Sequence, residues 1–240
     1  MERLIAVGDI HGQSQALRLL LGCIEPGPDD QLVFLGDYVD RGPDSPGVLE
    51  SLIDLGRCFP QTVFLRGNHE QMLLDAVEVT RGLYREGHLQ PGISADEQIP
   101  VVVSDFISVG GLETLSAYSA DPVDDPCTAL LNIPQPHLDF LGRTHFYYQR
   151  TPFLFVHAGV DPDDSRGVKN GFQPFLLQRQ PLWTQDDSWQ LTVVHGHTPV
   201  AVPFFGPLEV NLDTGAGYGA RLTACDLLNQ RIWQAETGCE

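Results

Sequence analysis

Positive charge is scarce in this sequence: 14 Lys and Arg stand against 32 Asp and Glu, a formal net charge of -18. So acidic a chain repels nucleic-acid backbones and anionic lipid, and neither is expected as a partner. Long apolar runs are missing too. The opening "MERLIAVGDIHG" meets charged residues after only a few apolar ones, too few for a signal-peptide core or a membrane span. Five cysteines (Cys23, Cys58, Cys127, Cys225, Cys239) are odd in number, scattered, and free of any CxxC pairing. That pattern argues against a disulfide framework and a thiolate zinc site, and the simplest expectation is a cytoplasmic enzyme with free thiols. No internal repeat or low-complexity tract is present.

What is present suffices for a core: 240 residues, 42% of them apolar, the size of one domain with or without an insertion. Six short runs share one design: "RLIAVGD", "QLVFLGD", "TVFLRGN", "FLFVHAG", "LTVVHGH" and "LEVNLDTG". Each is a strand-length stretch that stops at polar residues beside a glycine. Between the first three lie helical patterns. Leu17, Leu20, Leu21 and Ile24 share one face, as do Val48, Leu49, Leu52, Ile53 and Leu55, the second set preceded by the helix-start residues Asp44, Ser45 and Pro46. Residues 1 to about 80 therefore read β-α-β-α-β-α, an α/β beginning. From about 82 to 152 the pattern changes, with "PGISADEQIP" and "SADPVDDP" as loops around helices near Leu112–Tyr118 and Pro136–Leu141, read as a cap or insertion over the site. The end, "RLTACDLLNQRIWQAE", alternates about Asn229 and Gln230 and reads as a hairpin.

Ligands of α/β sheets bind beyond the carboxyl ends of the strands. Those ends carry Asp9 and His11 ("GDIHG"), Asp37 ("GDYVDRG"), Asn68 ("GNHE"), His157 ("HAG") and His197 ("HGHT"). Carboxylate, imidazole and amide oxygen without thiolate suit harder or borderline divalent ions, manganese first, with iron or zinc as alternatives. Two such ions activate water and clamp a phosphoryl group. A single buried His is ordinarily a hydrogen-bonded core residue, and a lone Gly-Asp an ordinary turn. Here five of the eight histidines (His11, His69, His157, His195, His197) follow strands, and the bland reading fails jointly.

Taken together "GDIHG", "GDYVDRG", "RGNHE", "HAG" and "HGHTP" resemble the PPP-type metallophosphatases of the calcineurin-like superfamily, which includes eukaryotic Ser/Thr protein phosphatases and the phage lambda phosphatase. "GGLETLSAYS", "IPQPHLDFLGRTHFYY" and "DTGAGYGARLT" extend the likeness to small bacterial members over nearly the whole chain. The resemblance implies two mixed β-sheets in a sandwich flanked by helices, with a dinuclear metal site at the strand ends. It implies Asp9, His11 and Asp37 on one ion, and Asp37, Asn68, His157 and His197 on the other, with Asp37 bridging and metal-activated water attacking phosphorus directly. His69 paired with Asp40 becomes the acid for the leaving group, and Arg41 and Arg66 the phosphate clamps. His195 is expected to point the same way as His197 and to support the ligands from behind.

One position departs from the bacterial pattern. "PLWTQDD" places Gln185 where relatives commonly carry a phosphate-binding Arg, so weaker phosphate affinity is expected unless Arg179 or Arg166 compensates. The implied activity is hydrolysis of phosphoserine or phosphothreonine, and of phosphotyrosine as an extension, in a protein or peptide. A symmetrical diadenosine tetraphosphate hydrolase is the runner-up. Those enzymes tend to have Gln and Asp where this chain has His11 and Glu70. A non-catalytic phosphoprotein-binding relative is the third reading, though every ligand type and the His69–Asp40 pair are present. Glu70 is left without a role beyond a helix-start carboxylate.

Overall fold

The computed structural model describes residues 2–89, 99–119, 122, 125–164, 171–185 and 188–238. Two five-stranded mixed sheets lie face to face. In the first, β1 (Leu4–Val7), β2 (Gln31–Phe34) and β3 (Val63–Phe64) run parallel, and the closing hairpin β9 (Arg221–Asp226) and β10 (Arg231–Glu236) adds on antiparallel at β1. The second is ordered β4-β5-β6-β8-β7, with β5 (Phe153–Val156), β6 (Thr192–His195) and β8 (Glu209–Asn211) parallel and the edges β4 (Tyr147–Arg150) and β7 (Phe204–Phe205) antiparallel.

The period of two along each strand explains the layers. Leu4 and Ala6 face inward between the sheets with Val33, Leu35, Phe155, Val194 and Leu212. Their neighbours Ile5 and Val7, with Leu32 and Phe34, face outward into a helix-covered core. Burial of this kind stabilises by about 25 cal/mol per Å² of apolar surface, so a one-residue register slip would cost both layers at once. The helices α1 (Ser14–Ile24), α2 (Ser45–Cys58) and α3 (Asn68–Arg85) cover the outer face. Helix α2 starts where the sequence predicts, the Asp44 carboxylate accepting the Gly47 N–H at 2.9 Å with proline in the first turn.

Within 82–152, the described residues form α4 (Val101–Phe106), α5 (Leu112–Tyr118), α6 (Pro126–Leu131) and α7 (Gln135–Gly142) before β4. Val103, Phe106, Leu115, Leu130 and Leu141 are buried in the same core as α1 to α3. The loop expectation for "PGISADEQIP" falls mostly outside the described residues, as does part of "SADPVDDP". A short α8 (Gln173–Leu177) packs Phe175 with Trp183 on the far side of the second sheet. Among the described residues, no helix is long and apolar enough to cross a membrane.

Candidate active site

Every parallel strand ends in the same region, and the backbone there is bent hard. His11, Asp37, Asp40, Arg41 and His197 all have positive φ, between 47° and 73°, although none is glycine. Left-handed backbone at non-glycine residues costs of order 1 kcal/mol or more each and persists where the surroundings over-determine it. Here it turns five polar side chains into one space.

Asp37 is the centre of that space. Its carboxylate lies 3.4 Å from His11 Nε2, 3.3 Å from His157 Nε2 and 3.8 Å from His69 Nε2. Two groups with metal-ligand spacing share it: His11, Asp37 and His69, and Asp37, His157 and His197. His11 and His157 donate Nδ1–H to the carbonyls of Val39 (2.9 Å) and Leu35 (3.0 Å), which leaves their Nε2 lone pairs aimed inward. Burial pushes His11 and His197 down to about 3 and lowers His157, which favours the neutral form a ligand needs. Burial works to raise Asp37, but the surrounding imidazoles hold it well below the ordinary carboxylate range.

The donor set fits a divalent cation. Asn68 Oδ1 faces His157 Nε2 at 3.1 Å and His197 Nδ1 at 2.9 Å. The first contact sets two acceptors against each other, which a cation reconciles. His197 Nε2 is buried without a hydrogen-bond partner. Asp9 belongs to neither group as spaced: its carboxylate accepts the His197 backbone N–H at 3.0 and 3.3 Å, and burial with Asp213 and Asp37 nearby raises it well above its ordinary value. The third residue with ligand spacing to His11 and Asp37 is His69, and Asp9 lies near enough for the Asp37 charge to add to its shift.

His69 and Asp40 form the pair that the sequence suggests. His69 Nδ1 lies 2.7 Å from Asp40 Oδ2, and Asp40 Oδ1 accepts the Thr114 hydroxyl at 2.6 Å. Burial opposes charge on His69, but Asp37 and Asp40 outweigh it and raise its proton affinity above the ordinary imidazole value. The resulting ring keeps a proton to give. Thr114, from α5, escaped the sequence reading because nothing in its local pattern reports a partner 74 positions away.

The two expected phosphate clamps behave differently. Arg41 donates to His11 Nε2 at 2.7 Å and its other terminal nitrogen lies 2.9 Å from His69 Nε2, so it lies over the site. Arg66 corrects the expectation. Its guanidinium is committed to Thr144 Oγ1, Gln71 Oε1 and the carbonyls of Leu141 and Gly142, all at 2.9–3.0 Å, where it caps the end of α7 rather than facing the ligands. His195 also differs from expectation. Strand β6 ends at His195 and the chain turns, so His197 faces Asn68 while His195 Nε2 faces Glu209 at 3.1 Å. Gln185 is exposed at the end of a 3-10 turn, and Arg166 lies outside the described residues. Arg179 is exposed, and its charge adds to burial and His157 in lowering His197.

Comparison with protein families matches residues 2–225 to the calcineurin-like phosphoesterase model. The chain belongs to that family. It is 27% identical over 229 residues to a Bacillus cereus protein named bis(5'-nucleosyl)-tetraphosphatase PrpE (asymmetrical), covering 90% of this chain and 87% of that one. A Caenorhabditis elegans protein provisionally named a serine/threonine-protein phosphatase is 41% identical, but over only 88 residues, 36% of this chain and 23% of the other. Two solved structures share the fold. One is provisionally named a diadenosine tetraphosphatase (TM-score 0.64, 22% identity, 99% of this chain and 95% of that chain), the other is a yeast protein serine/threonine phosphatase similar to human PP5 (0.62, 14%, 99% and 81%).

In this phosphoesterase Glu70 has a part that sequence reading left open. Its buried carboxylate accepts the backbone N–H groups of Asp37 (2.8 Å), Tyr38 (2.7 Å), Val39 (3.3 Å) and Gly67 (2.8 Å), tying the Asp37 loop to the start of α3. Burial and the Asp37 charge push it up to about 7. Gly67 has to be glycine, because a Cβ there would come within 2.0 Å of Asp37 Oδ1. Glu70→Gln replaces one acceptor oxygen by an NH2 facing donors. It is expected to cost about 2–3 kcal/mol, or roughly 5–10 °C in Tm at this chain length, measured by thermal denaturation. An unchanged Tm would show that the loop holds itself.

Proposed function

We propose that this phosphoesterase is a metal-dependent phosphomonoesterase acting on phosphorylated serine or threonine, and on tyrosine, in proteins or peptides. The observation that carries the reading is the His69–Asp40 pair, with its second ring nitrogen turned toward Asp37 and Arg41. A serine or threonine alkoxide leaves poorly without a proton, whereas a nucleotide leaves as an already stable phosphate. An oriented acid is worth having for the first and adds little for the second.

Asp37, His157, His197 and Asn68 would hold one divalent ion, and Asp37 with His11 and Asp9 the other, manganese being the first candidate, with His69 left outside the ligand set to carry its proton. When bound, the ions supply an activated water and stabilise the phosphoryl charge. The chain's own residues do the rest. Arg41, which lies against His11 and His69, would pair bidentately with phosphate oxygens once His11 Nε2 served a cation instead. Arg179 adds a second positive group from the His197 side, in a chain otherwise strongly acidic. His69 gives its Nε2 proton to the departing oxygen, and Asp40, fixed by Thr114, stabilises the ring throughout.

A second reading is favoured by the whole-length likeness to PrpE, whose name assigns it asymmetrical dinucleoside tetraphosphate cleavage. The likeness in sequence to the Caenorhabditis elegans protein named as a phosphatase covers only 36% of this chain. The residues at 11 and 70 weigh against a symmetrical enzyme and leave the asymmetrical one open. One panel separates the readings: manganese-loaded protein with phosphoserine and phosphothreonine peptides, p-nitrophenyl phosphate and diadenosine tetraphosphate, before and after a chelator. Peptide and aryl turnover lost on chelation is expected. Turnover of the tetraphosphate alone, to ATP and AMP, would replace the proposal with the second reading. Absence of any metal-dependent turnover would leave a binding protein.

A further inference from the structure

One aromatic side chain stands at the mouth of the site without a part in the proposed chemistry. Tyr218 closes a 3-10 turn, Ala216–Tyr218, framed by Gly215 (φ 81°) and Gly219 (φ 80°). The turn is held firmly: Asp213 accepts the Gly215 N–H at 2.9 Å, Gly215 O accepts the Tyr218 N–H at 2.9 Å, and Ala216 is fully buried. It packs closely against the His11 imidazole, since a Cβ on Gly217 would come within 2.5 Å of His11 Cδ2. The Tyr218 ring is therefore carried on a rigid support against the site, not on a waving loop.

Its immediate neighbour is the guanidinium of Arg41, whose Cζ lies 4.7 Å from the ring centroid. That same guanidinium reaches His11 and His69 with its two terminal nitrogens. Arg41 thus sits between the Asp37 cluster and Tyr218, in a stacked cation–π arrangement. Yet Tyr218 is 66% exposed, the most exposed aromatic ring among the described residues, and its hydroxyl has no hydrogen-bond partner among them. A ring needed only to prop Arg41 could be buried. This one leaves much of its apolar surface in water, next to the place where a phosphate on Arg41 would carry its substituent.

We propose that Tyr218 is the surface on which an aromatic group esterified directly to the scissile phosphate is held, so that it sets a preference for aryl phosphates, phosphotyrosine among them. This rests on the reading of the Asp37 cluster as the hydrolytic site. The short reach favours an aryl ester over a nucleobase: the ring touches the very guanidinium assigned to the phosphate, while a base is separated from its phosphate by a sugar. Aromatic pairs contribute through offset or edge contacts of ring faces, and the tyrosine hydroxyl is not required for that.

The test compares wild type, Tyr218→Phe and Tyr218→Leu, loaded with manganese, on phosphotyrosine and phosphoserine peptides of the same surrounding sequence and on diadenosine tetraphosphate. Tyr218→Leu is expected to raise KM for the phosphotyrosine peptide roughly fivefold to tenfold, to change the phosphoserine KM less than about twofold, and to leave kcat on both nearly constant. Tyr218→Phe should behave as wild type. Equal losses on both peptides would mean that Tyr218 acts only through Arg41, and a loss confined to the tetraphosphate would assign the ring to a base; either overturns the proposal. Calorimetry with phenylphosphonate and methylphosphonate supplies a readout independent of turnover. Wild-type protein should bind the phenyl compound more tightly and lose that margin in Tyr218→Leu. Equal binding of the two by wild type overturns the platform even if no substrate is turned over.

Discussion

Asp37→Asn is expected to remove metal-dependent turnover to the background of the assay and to weaken metal binding far more than any other single change at the site. Loss of an outer hydrogen-bonding partner typically costs about 10–100-fold in metal affinity. Asp37 is not an outer partner: both groups of ligand spacing contain it, and no second carboxylate belongs to either group. The substitution keeps shape and one oxygen but removes the charge that balances two dications, and it places an NH2 against imidazole nitrogens 3.3–3.4 Å away. The fold should survive, because the backbone of residues 37 to 39 is held by Glu70 rather than by the Asp37 side chain. Metal content after equilibration with manganese, read beside far-UV circular dichroism, checks both halves. Wild-type metal content in the variant would take Asp37 out of the centre.

His69→Asn should separate proton donation from positioning. On alkyl phosphates such as phosphoserine, kcat is expected to fall by about 10²-fold or more, the usual contribution of a positioned general acid. On p-nitrophenyl phosphate, whose leaving group hardly needs a proton, the fall should be distinctly smaller. The difference between substrates matters more than either loss, since His69 also stands 3.8 Å from Asp37 and its removal will disturb the cluster for every substrate alike. Equal losses on both would make His69 a structural or metal-holding residue. Asp40→Asn should follow the same direction with a smaller split, because a neutral amide no longer holds up the proton affinity of the ring.

The parts of the molecule that could be read from sequence are those in which neighbours decide the outcome. Strands β1 to β3 with α1 to α3 follow from local periodicity, α5 falls on Leu112–Tyr118, and the closing hairpin turns at Asn229 and Gln230 as expected. The strand-end residues are brought together because parallel strands bring their carboxyl ends to one edge. What escaped depends on direction and distance instead. Whether Arg66 faces phosphate or the end of α7 is set by Thr144 and Gln71, and by carbonyls more than 70 positions away. His195 diverges from His197 because β6 stops between them, and strand alternation no longer applies beyond its end. Glu70 reads as a helix-start carboxylate from sequence, which its bond to Gly67 supports, while its three bonds to the Asp37 loop come from another strand. Thr114 and Tyr218 lie in "GGLETLSAYS" and "DTGAGYGARLT", segments that carry the resemblance without assigning either residue a role. Their places are set by contacts distant in sequence, Thr114 on Asp40 and Tyr218 over Arg41.

Metal dependence at the Asp37 cluster is the claim on which the rest stands, and one titration addresses it. Protein stripped with a chelator is reloaded stepwise with manganese while bound metal and p-nitrophenyl phosphate turnover are followed on the same samples. The expected result is no turnover in the stripped protein and full recovery as bound metal approaches two ions per chain. Turnover that survives stripping, or that is complete while no metal is bound, would contradict it.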